Sequence, residues 1–353
     1  MIDVLVVGGG PIGLAAAIEA RIAGLTVTVV EPRTGPIDKA CGEGLMPGAV
    51  AALARLGVDP PGHVLAGISY QGDGRRADHG FRHGSGRGVR RTALHDGLSL
   101  RADELGVGRV IGKVDALKQD DDSVTVRGVG TRGVGTLGIR ARWMLGCDGL
   151  HSTVRELAGL AAPYRGPRRF GLRRHFAVAP WTDLVEVHWT SGLNGADVEV
   201  YVTPVGEHEV GVAVLGPTHT DYDLAMDAVP ALAGRLDGAA ITTSTRGAGP
   251  LRQRTRARTA GRVLLVGDAS GYVDAITGEG IRVGLVQARA VVECIAAGRP
   301  ERYEHAWRRE TRDFRMLTAG LLALASSPLR PAIVPAARAF PGLFGGIVER
   351  LAR

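Results

Sequence analysis

Lysine is close to absent from this chain of 353 residues: Lys39, Lys113 and Lys118 are the only three. The net charge of +7 therefore rests on arginine, spread along the whole length together with a bias towards alanine and glycine. Aromatic residues make up 5% of the chain, and none interleaves with the densest basic run, Arg252 to Arg262. Bases would find nothing to stack on there, so nucleic acid is not expected as a partner. The run reads as a solvated strand and turn, and the positive charge as a general pull on anionic cofactors. Cysteine occurs at 41, 147 and 294, without CxxC spacing. Neither a disulfide framework nor a zinc site is supported, Cys147 and Cys294 read as core, and no His/Asp/Glu spacing suggests another metal. No apolar run is long enough to cross a bilayer. The N-terminus lacks a basic flank and runs straight into glycines, which excludes a signal peptide. The expectation is a cytoplasmic protein with no transmembrane segment, with peripheral membrane contact left open. Gly84-Ser85-Gly86 looks like part of a serine nucleophile motif but lacks the strand–helix context.

What is present is patterned. Val4 to Val7 is a short apolar run ending in glycines, a buried parallel strand. Pro11 to Gly24 has Leu14, Ala17, Ile18 and Ile22 at helical spacing, with Gly24 as the stop. Thr26 to Glu31 is a second strand, and the three make one βαβ unit. A helix is expected from Ala49 to Leu56, and another on Leu94, Leu98, Ala102 and Leu105. Lys113 to Leu117, Ser123 to Arg127 and Ile139 to Cys147 read as a meander, with hairpin loops in Gly128 to Gly138. From 168 to 215 the period changes to two: Val185, Val187 and Trp189, then Val198, Val200 and Val202, then Val210, Val212 and Val214. That marks an antiparallel sheet with two different faces. His175, His188 and His208 fall on its strands as surface or satisfied histidines, and Arg169, Arg173 and Arg174 read as solvated. Arg262 to Val266 and Ile281 to Ala296 return to strand and helix. The end of the chain is helical, broken by Pro328, Pro331, Pro335 and Pro341.

Three glycine motifs follow strands and open helices. Gly8-Gly9-Gly10-Pro11-Ile12-Gly13 fits GxGxxG: Gly8 for the turn, Gly10 for close approach of a pyrophosphate, Gly13 for packing of helix on strand. Glu31 ends the second strand, where a carboxylate accepts hydrogen bonds from a ribose diol; it favours FAD or NAD over NADP at this site. The others are Gly146-Cys147-Asp148-Gly149, continuing to Ser152 and Arg155, and Gly267-Asp268-Ala269-Ser270-Gly271, continuing through Thr277-Gly278-Glu279-Gly280-Ile281.

This set resembles, over roughly residues 1 to 320, the flavoprotein hydroxylases of the para-hydroxybenzoate hydroxylase type and the geranylgeranyl reductase-like flavoproteins that share their fold. The resemblance implies an α/β fold with an α+β insert. An FAD-binding Rossmann-type domain (1–66, 91–160 and 259–300) would carry an inserted antiparallel substrate sheet (67–90 and 161–258) and C-terminal helices (301–353). It implies FAD as cofactor, held by Gly8, Gly10, Pro11, Ile12 and Gly13 at the pyrophosphate and by Glu31, Pro32 and Arg33 at the adenosine. Arg91, with Arg90 as its neighbour alternative, would reach the phosphates. Val114, Asp148, Gly149 and Gly267 complete the set, with Asp268 on the ribityl chain and Gly280 and Ile281 beside the isoalloxazine.

The loop Lys39 to Pro47 looks more like the reductase branch. Gly42 and Gly44 let its backbone approach a flat ring, so it is expected to border the flavin. Cys41, Glu43 and Met46 are candidates to face the substrate, with Glu43 the candidate acid or base; Tyr201 is a further substrate-side candidate. The Trp-x-Trp-x-Ile-Pro signature of flavin halogenases is missing, as is a C-terminal thioredoxin-like extension. The favoured expectation is an FAD monooxygenase driven by NADH or NADPH. It would pass one oxygen of O₂, through a flavin hydroperoxide, to an electron-rich, apolar or aromatic small molecule. The alternative is a flavin-dependent reductase of carbon–carbon double bonds in a prenyl-like substrate. A flavoprotein without turnover, serving as sensor or binding module, is disfavoured by the intact motifs.

Overall fold

A computed structural model describes residues 1–130, 136–191, 195 and 197–353. Its first sheet is built on the strand Ile2–Val7, where Val4, Leu5 and Val6 are fully buried. That strand pairs in parallel with Val27–Glu31 on one side and Thr136–Gly146 on the other. Gly108–Gln119 adds in parallel next to Val27–Glu31, and Val263–Leu265 next to Thr136–Gly146. The two long strands then leave the parallel sheet and pair antiparallel with Val124–Gly130, giving the expected meander. Residues 131–135 of the expected hairpin loop lie outside the described residues.

The helix Pro11–Ile22 begins with proline, whose missing N–H is no loss in a first turn. Its face Leu14, Ala17 and Ile18 is fully buried on this sheet; burying Leu14 and Ile18 contributes about 1.5–3 kcal/mol each. Gly24, at φ +80, turns the chain into the next strand. The helices Arg91–Glu104 and Gly280–Ala296 pack against the same helix.

The second sheet takes Arg169–Ala177, Glu209–Pro217, Asp197–Gly206 and Leu184–Ser191 in antiparallel order. It then gains Gly67–Gly72, paired in parallel with Leu184–Ser191, and Arg75–Gly80. The period of two survives as two faces, and both are buried. Val198, Val200, Val202, Val210, Val212 and Val214 pack under the short helices Tyr222–Asp227 and Pro230–Leu236. On the other face the register places Arg173, Ala213, Tyr201 and Val187 in one row, with His175, Gly211 and Thr203 in the next. Burial of that face leaves its charges paired inside the protein. Glu199, 1% exposed, sits between Arg169 and Arg330, and Arg169 also holds Asp274.

Several expectations are corrected here. Arg173 is 1% exposed, not solvated, because acids and a histidine surround its guanidinium. Arg169 is mostly buried for the same reason, while Arg174 spans a surface pair with Asp223. His208 lies in the turn between two strands. Cys294 is half-buried at the edge of the core, whereas Cys147 is buried as expected. Within the arginine run, Arg258 is not solvated: it pairs with Glu304 and lies 3.7 Å over the Trp307 ring. At the C-terminus, Pro341 breaks the helical run as expected, since Ile333–Ala339 ends before the non-helical Phe340 and Pro341 opens the helix Pro341–Ala352, whereas Pro335 sits inside a first turn and interrupts nothing.

Candidate active site

The nucleotide side is shaped by main chain. A Cβ on Gly13 would stand 1.8 Å from the Gly8 carbonyl oxygen, and one on Gly8, at φ +105, 2.6 Å from that of Cys147. A Cβ on Gly10 would meet nothing within 4 Å. The helix behind it has no side-chain cap, so its first N–H groups point into that open space. The Gly9 N–H donates to Glu31 Oε2 at 2.8 Å, and the Arg33 N–H and Nε donate to Oε1 at 3.1 and 2.7 Å. Burial acts to raise the Glu31 pKa, but the bonds from Arg33 and Gly9 outweigh it and hold it below its ordinary value. A groove with an empty volume of about 720 Å³ runs past Gly9, Glu31, Arg33, His95, Arg109 and Ile111. Pro32 is exposed beside it. Val114 does not line it: at 3% exposed its side chain packs with Val7, Val30 and Val126 in the core, farther along the strand than Arg109, Val110 and Ile111, which border the groove.

A second cavity, with an empty volume of about 1060 Å³, lies between the two sheets. Ile12, Arg91, Asp268, Gly280 and Ile281 line it from the nucleotide side, and Cys41 and Glu43 from the loop. The inserted sheet and its flanks close it with Tyr201, Ala213, Leu215, Ala248 and Leu251. The structure thus brings together eight of the residues picked from sequence. Besides the glycine motif and Glu31 to Arg33, five others lie outside this lining. Val114 is in the core. Met46, 6% exposed, backs the wall behind Gly44 and Gly278. Asp148 accepts from the Ser152 hydroxyl at 2.5 Å and the Val154 N–H at 3.0 Å, so its carboxylate holds the start of the helix Thr153–Leu157. Burial pushes the Asp148 carboxyl above its ordinary pKa despite those bonds. Gly149, at φ +83, makes the turn that follows. Gly267, at φ +64, packs against Ile12 from behind.

Two cations face this space. Arg90 Nη1 is held by both oxygens of Glu209 at 2.6 and 2.7 Å, while the buried Nε of Arg91, like that of Arg90, has no hydrogen-bond partner among the described residues, and it is Arg91 that lines the cavity. Lys39 also lines the cavity, a residue the sequence reading passed over; its rarity in this chain was the signal that could have found it. Burial lowers the Lys39 pKa, the Asp268 carboxylate works against that, and Arg91 and Arg33 push it further down.

The loop is clamped to the inserted sheet by side chains. Glu43 Oε2 lies 2.5 Å from His175 Nε2, and Oε1 accepts the Arg91 N–H at 2.7 Å. Arg173 Nη1 lies 2.9 Å from His175 Nδ1, and Arg173 Nη2 bonds Asp38. Arginine can only donate, so Nδ1 accepts and the network assigns the ring proton to Nε2, facing Glu43. Thr203 Oγ1 adds a bond to the Gly42 carbonyl at 2.8 Å. Gly211 makes room, since a Cβ there would lie 3.0 Å from Glu43 Oε2. Glu43 itself holds φ +59, a left-handed conformation that costs a residue with a side chain about 1–2 kcal/mol. Both of its oxygens are engaged, so the geometry makes it a clamp more readily than an acid or base.

Open space at Gly10, an uncapped helix terminus, a buried arginine Nε without partner and a carboxylate at the end of the second strand define a dinucleotide-binding flavoprotein site. The comparisons agree. The sequence profile of the FAD binding domain family matches residues 1–301. The menaquinone reductase of Mycobacterium tuberculosis is 30% identical over 318 residues, spanning 83% of this chain and 76% of the relative. The rifampicin monooxygenase of Streptomyces venezuelae is 33% identical over 174 residues, 46% of this chain and 35% of the relative. In fold, a flavoprotein/dehydrogenase from Cytophaga hutchinsonii superposes with a TM-score of 0.87 at 18% identity, over 99% of this chain and 92% of that one. The chain belongs to the FAD-binding family of para-hydroxybenzoate hydroxylase-type flavin monooxygenases. It is an FAD-dependent oxidoreductase.

Proposed function

We propose that the chain is an NADH- or NADPH-dependent monooxygenase acting on an electron-rich, largely apolar small molecule. The reading rests on one observation above the others. The wall facing Gly280 and Ile281 across the cavity is apolar, built of Ala213, Leu215, Ala248 and Leu251 with Tyr201. The Tyr201 hydroxyl is already donated to the Ile276 carbonyl at 2.8 Å, and the one carboxylate on the loop, Glu43, is doubly engaged. Such a wall excludes water and selects an apolar ring or chain.

In this reading Gly10, with the helix start at Pro11 and Ile12, Arg91 and Lys39 hold the FAD phosphates. Glu31 and Arg33 hold the adenosine ribose, and Asp268 takes the ribityl chain. When bound, FAD would supply the redox chemistry, namely hydride transfer from the nicotinamide and insertion of one atom of O₂ into the substrate with the other leaving as water. The protein's own residues position and seal. Glu43, His175 and Arg173 fix the loop against the sheet, and Cys41 meets the substrate from the loop. The division into an FAD domain (1–66, 91–160, 259–300), a substrate sheet (67–90, 161–258) and C-terminal helices (301–353) is part of the same proposal.

A second reading, a flavin-dependent reductase of carbon–carbon double bonds, has its own support. The menaquinone reductase covers far more of this chain than the monooxygenase relative does, and an apolar wall suits an apolar chain equally well. One experiment separates the two. The holoprotein is given NADPH or NADH with a panel of phenols and an isoprenoid quinone, with and without labelled O₂. A product carrying one labelled oxygen supports the monooxygenase. A product two hydrogens heavier, formed fully without oxygen, overturns it in favour of the reductase.

A further inference from the structure

Most large apolar side chains on the surface are scattered singly over unrelated elements, as on any protein: Ile22, Val64, Leu100 and Leu224 are examples. The C-terminal helices differ. Met316, Leu329, Phe340, Leu343 and Ile347 are exposed at 65%, 63%, 63%, 67% and 39%. The helices Tyr303–Ala325 and Pro341–Ala352 run antiparallel: Asp313 pairs with Arg350 at 2.8 Å, while Leu321 and Leu322 pack in one cluster with Phe344 and Val348. Met316 therefore lies across from Ile347, and the exposed, uncharged Ala319, Gly320 and Ala323 lie across from Leu343 and Phe340. The result is one apolar band, not isolated residues.

The charge on the band itself has one sign, and the nearest exposed acids, Asp313 and Asp197, lie at its ends, each paired with arginine. From Phe314 to Val348 the chain carries no acidic residue. Arg330 is buried on Glu199 and the Val198 carbonyl, while Arg338 is exposed within the band. Exposed Arg312 and Arg350 stand at one end beside Asp313. The inner sides of these helices belong to the same apolar cluster as cavity residues: Phe344, Val348, Ile333 and Ala337 pack with Leu150, Tyr201, Leu215 and Leu251. Among the described residues no single helix is long and apolar enough to cross a membrane.

We propose that this band docks the protein on the surface of an anionic lipid bilayer. The apolar side chains would enter the headgroup–acyl boundary and the arginines would meet lipid phosphates. A bilayer fits better than a folded partner because the band is apolar helix surface that carries the exposed Arg338 and no acid of its own, with two arginines against one aspartate, Asp313, at its end. The inference does not depend on which reaction the flavin performs, and its test involves no turnover.

The test floats the FAD-loaded protein with vesicles of phosphatidylcholine mixed with phosphatidylglycerol, and with phosphatidylcholine alone. The expected result is flotation with the mixed vesicles, weakened by salt and by omission of the anionic lipid. The double variant Phe340→Glu/Leu343→Glu is expected to lose at least about tenfold in vesicle affinity. Its flavin absorbance and unfolding temperature should match the parent, since both side chains point outward. The proposal is overturned if the parent stays with the soluble fraction at low salt, or if the variant floats as well as the parent. It is equally overturned if sedimentation shows a dimer that the variant dissolves while neither protein floats; the band would then pair two copies.

Discussion

The two sides of the central cavity are held in place by different physics. On the nucleotide side the backbone does the shaping: Gly8, Gly10 and Gly13 fall within six residues, and their function is the absence of a Cβ. On the sheet side long side chains do it. Asp38 and Glu43 reach Arg173 and His175, more than a hundred positions away in the chain, inside a cluster that admits almost no water. The first device is local and tolerates no added atom. The second is non-local and tolerates no lost charge. Substitutions at five positions test that contrast, Gly10 serving as a control, from the largest expected effect down.

Gly13→Ala puts a methyl 1.8 Å from a backbone oxygen that has nowhere to go. It is expected to cost on the order of 4–5 kcal/mol of folding stability, at the severe end for single substitutions, and to leave protein without FAD. Gly10→Ala is its control. No atom stands within 4 Å of that Cβ, so the apoprotein should unfold within about 1 kcal/mol of the parent, the cost of alanine at a helix N-cap. FAD affinity should still fall, because the new methyl occupies the space reserved for the phosphates. Denaturant unfolding and FAD titration read both. Equal behaviour of the two variants would break the claim that the open space at Gly10 is the cofactor's.

Arg173→Leu tests the other side. It removes the cation from between Asp38, His175 and Glu43 and strands their negative charge in a buried site. The expected loss is about 3–5 kcal/mol, as for breaking a buried ion pair from one side. The double variant Arg173→Leu/Asp38→Leu removes both partners and should recover part of it. A single variant as stable as the parent would mean that water reaches the cluster and that the clamp is ordinary surface electrostatics.

The same contrast explains what could be read without a structure. GxGxxG, the Asp-Gly and Gly-Asp motifs and Glu31 are short-range patterns tied to strands of clear periodicity, and the groove and cavity form where they lie. The alternating strands were legible too, but not the fate of their polar face. Nothing in the spacing of Arg169 or Arg173 shows that distant elements will cover them, so in sequence their burial reads as exposure. Asp148 shows a further limit: a motif marks a turn reliably, but whether its carboxylate meets a ligand or the next helix depends on rotamer and packing. Glu31 sits between the two regimes. Glu31→Ala is expected to weaken FAD binding by about 1.5–3 kcal/mol, the range for a lost charge-assisted hydrogen bond. Since Glu31 also receives the Gly9 N–H, a modest fall in apoprotein stability should accompany it. Unchanged FAD affinity would mean that the ribose is held elsewhere along the groove.

The smallest effect is expected at Glu43, and it decides what that residue is. If Glu43 exchanged protons with substrate, Glu43→Gln would lower turnover by roughly 10²–10⁴-fold, the usual contribution of a general acid or base. The geometry argues for much less. Oε1 accepts a backbone N–H and Oε2 faces an imidazole N–H, and an amide oxygen can keep either acceptor role, though not both. The glutamine NH₂ would then face either the Arg91 N–H or the His175 N–H, donor against donor, unless His175 turns its ring. Some loosening of the loop follows, felt as a few-fold rise in KM with kcat little changed, because the loop borders the substrate space but no proton passes through this side chain. Glu43→Ala, which removes both acceptors, should do worse than Glu43→Gln in stability and KM while keeping the same pH profile of kcat as the parent. A clamp predicts that ordering and that unchanged profile. A kcat for Glu43→Gln a hundredfold or more below the parent, with one limb of the pH profile gone, would return Glu43 to the chemistry and make the bonds to Arg91 and His175 the means of tuning it.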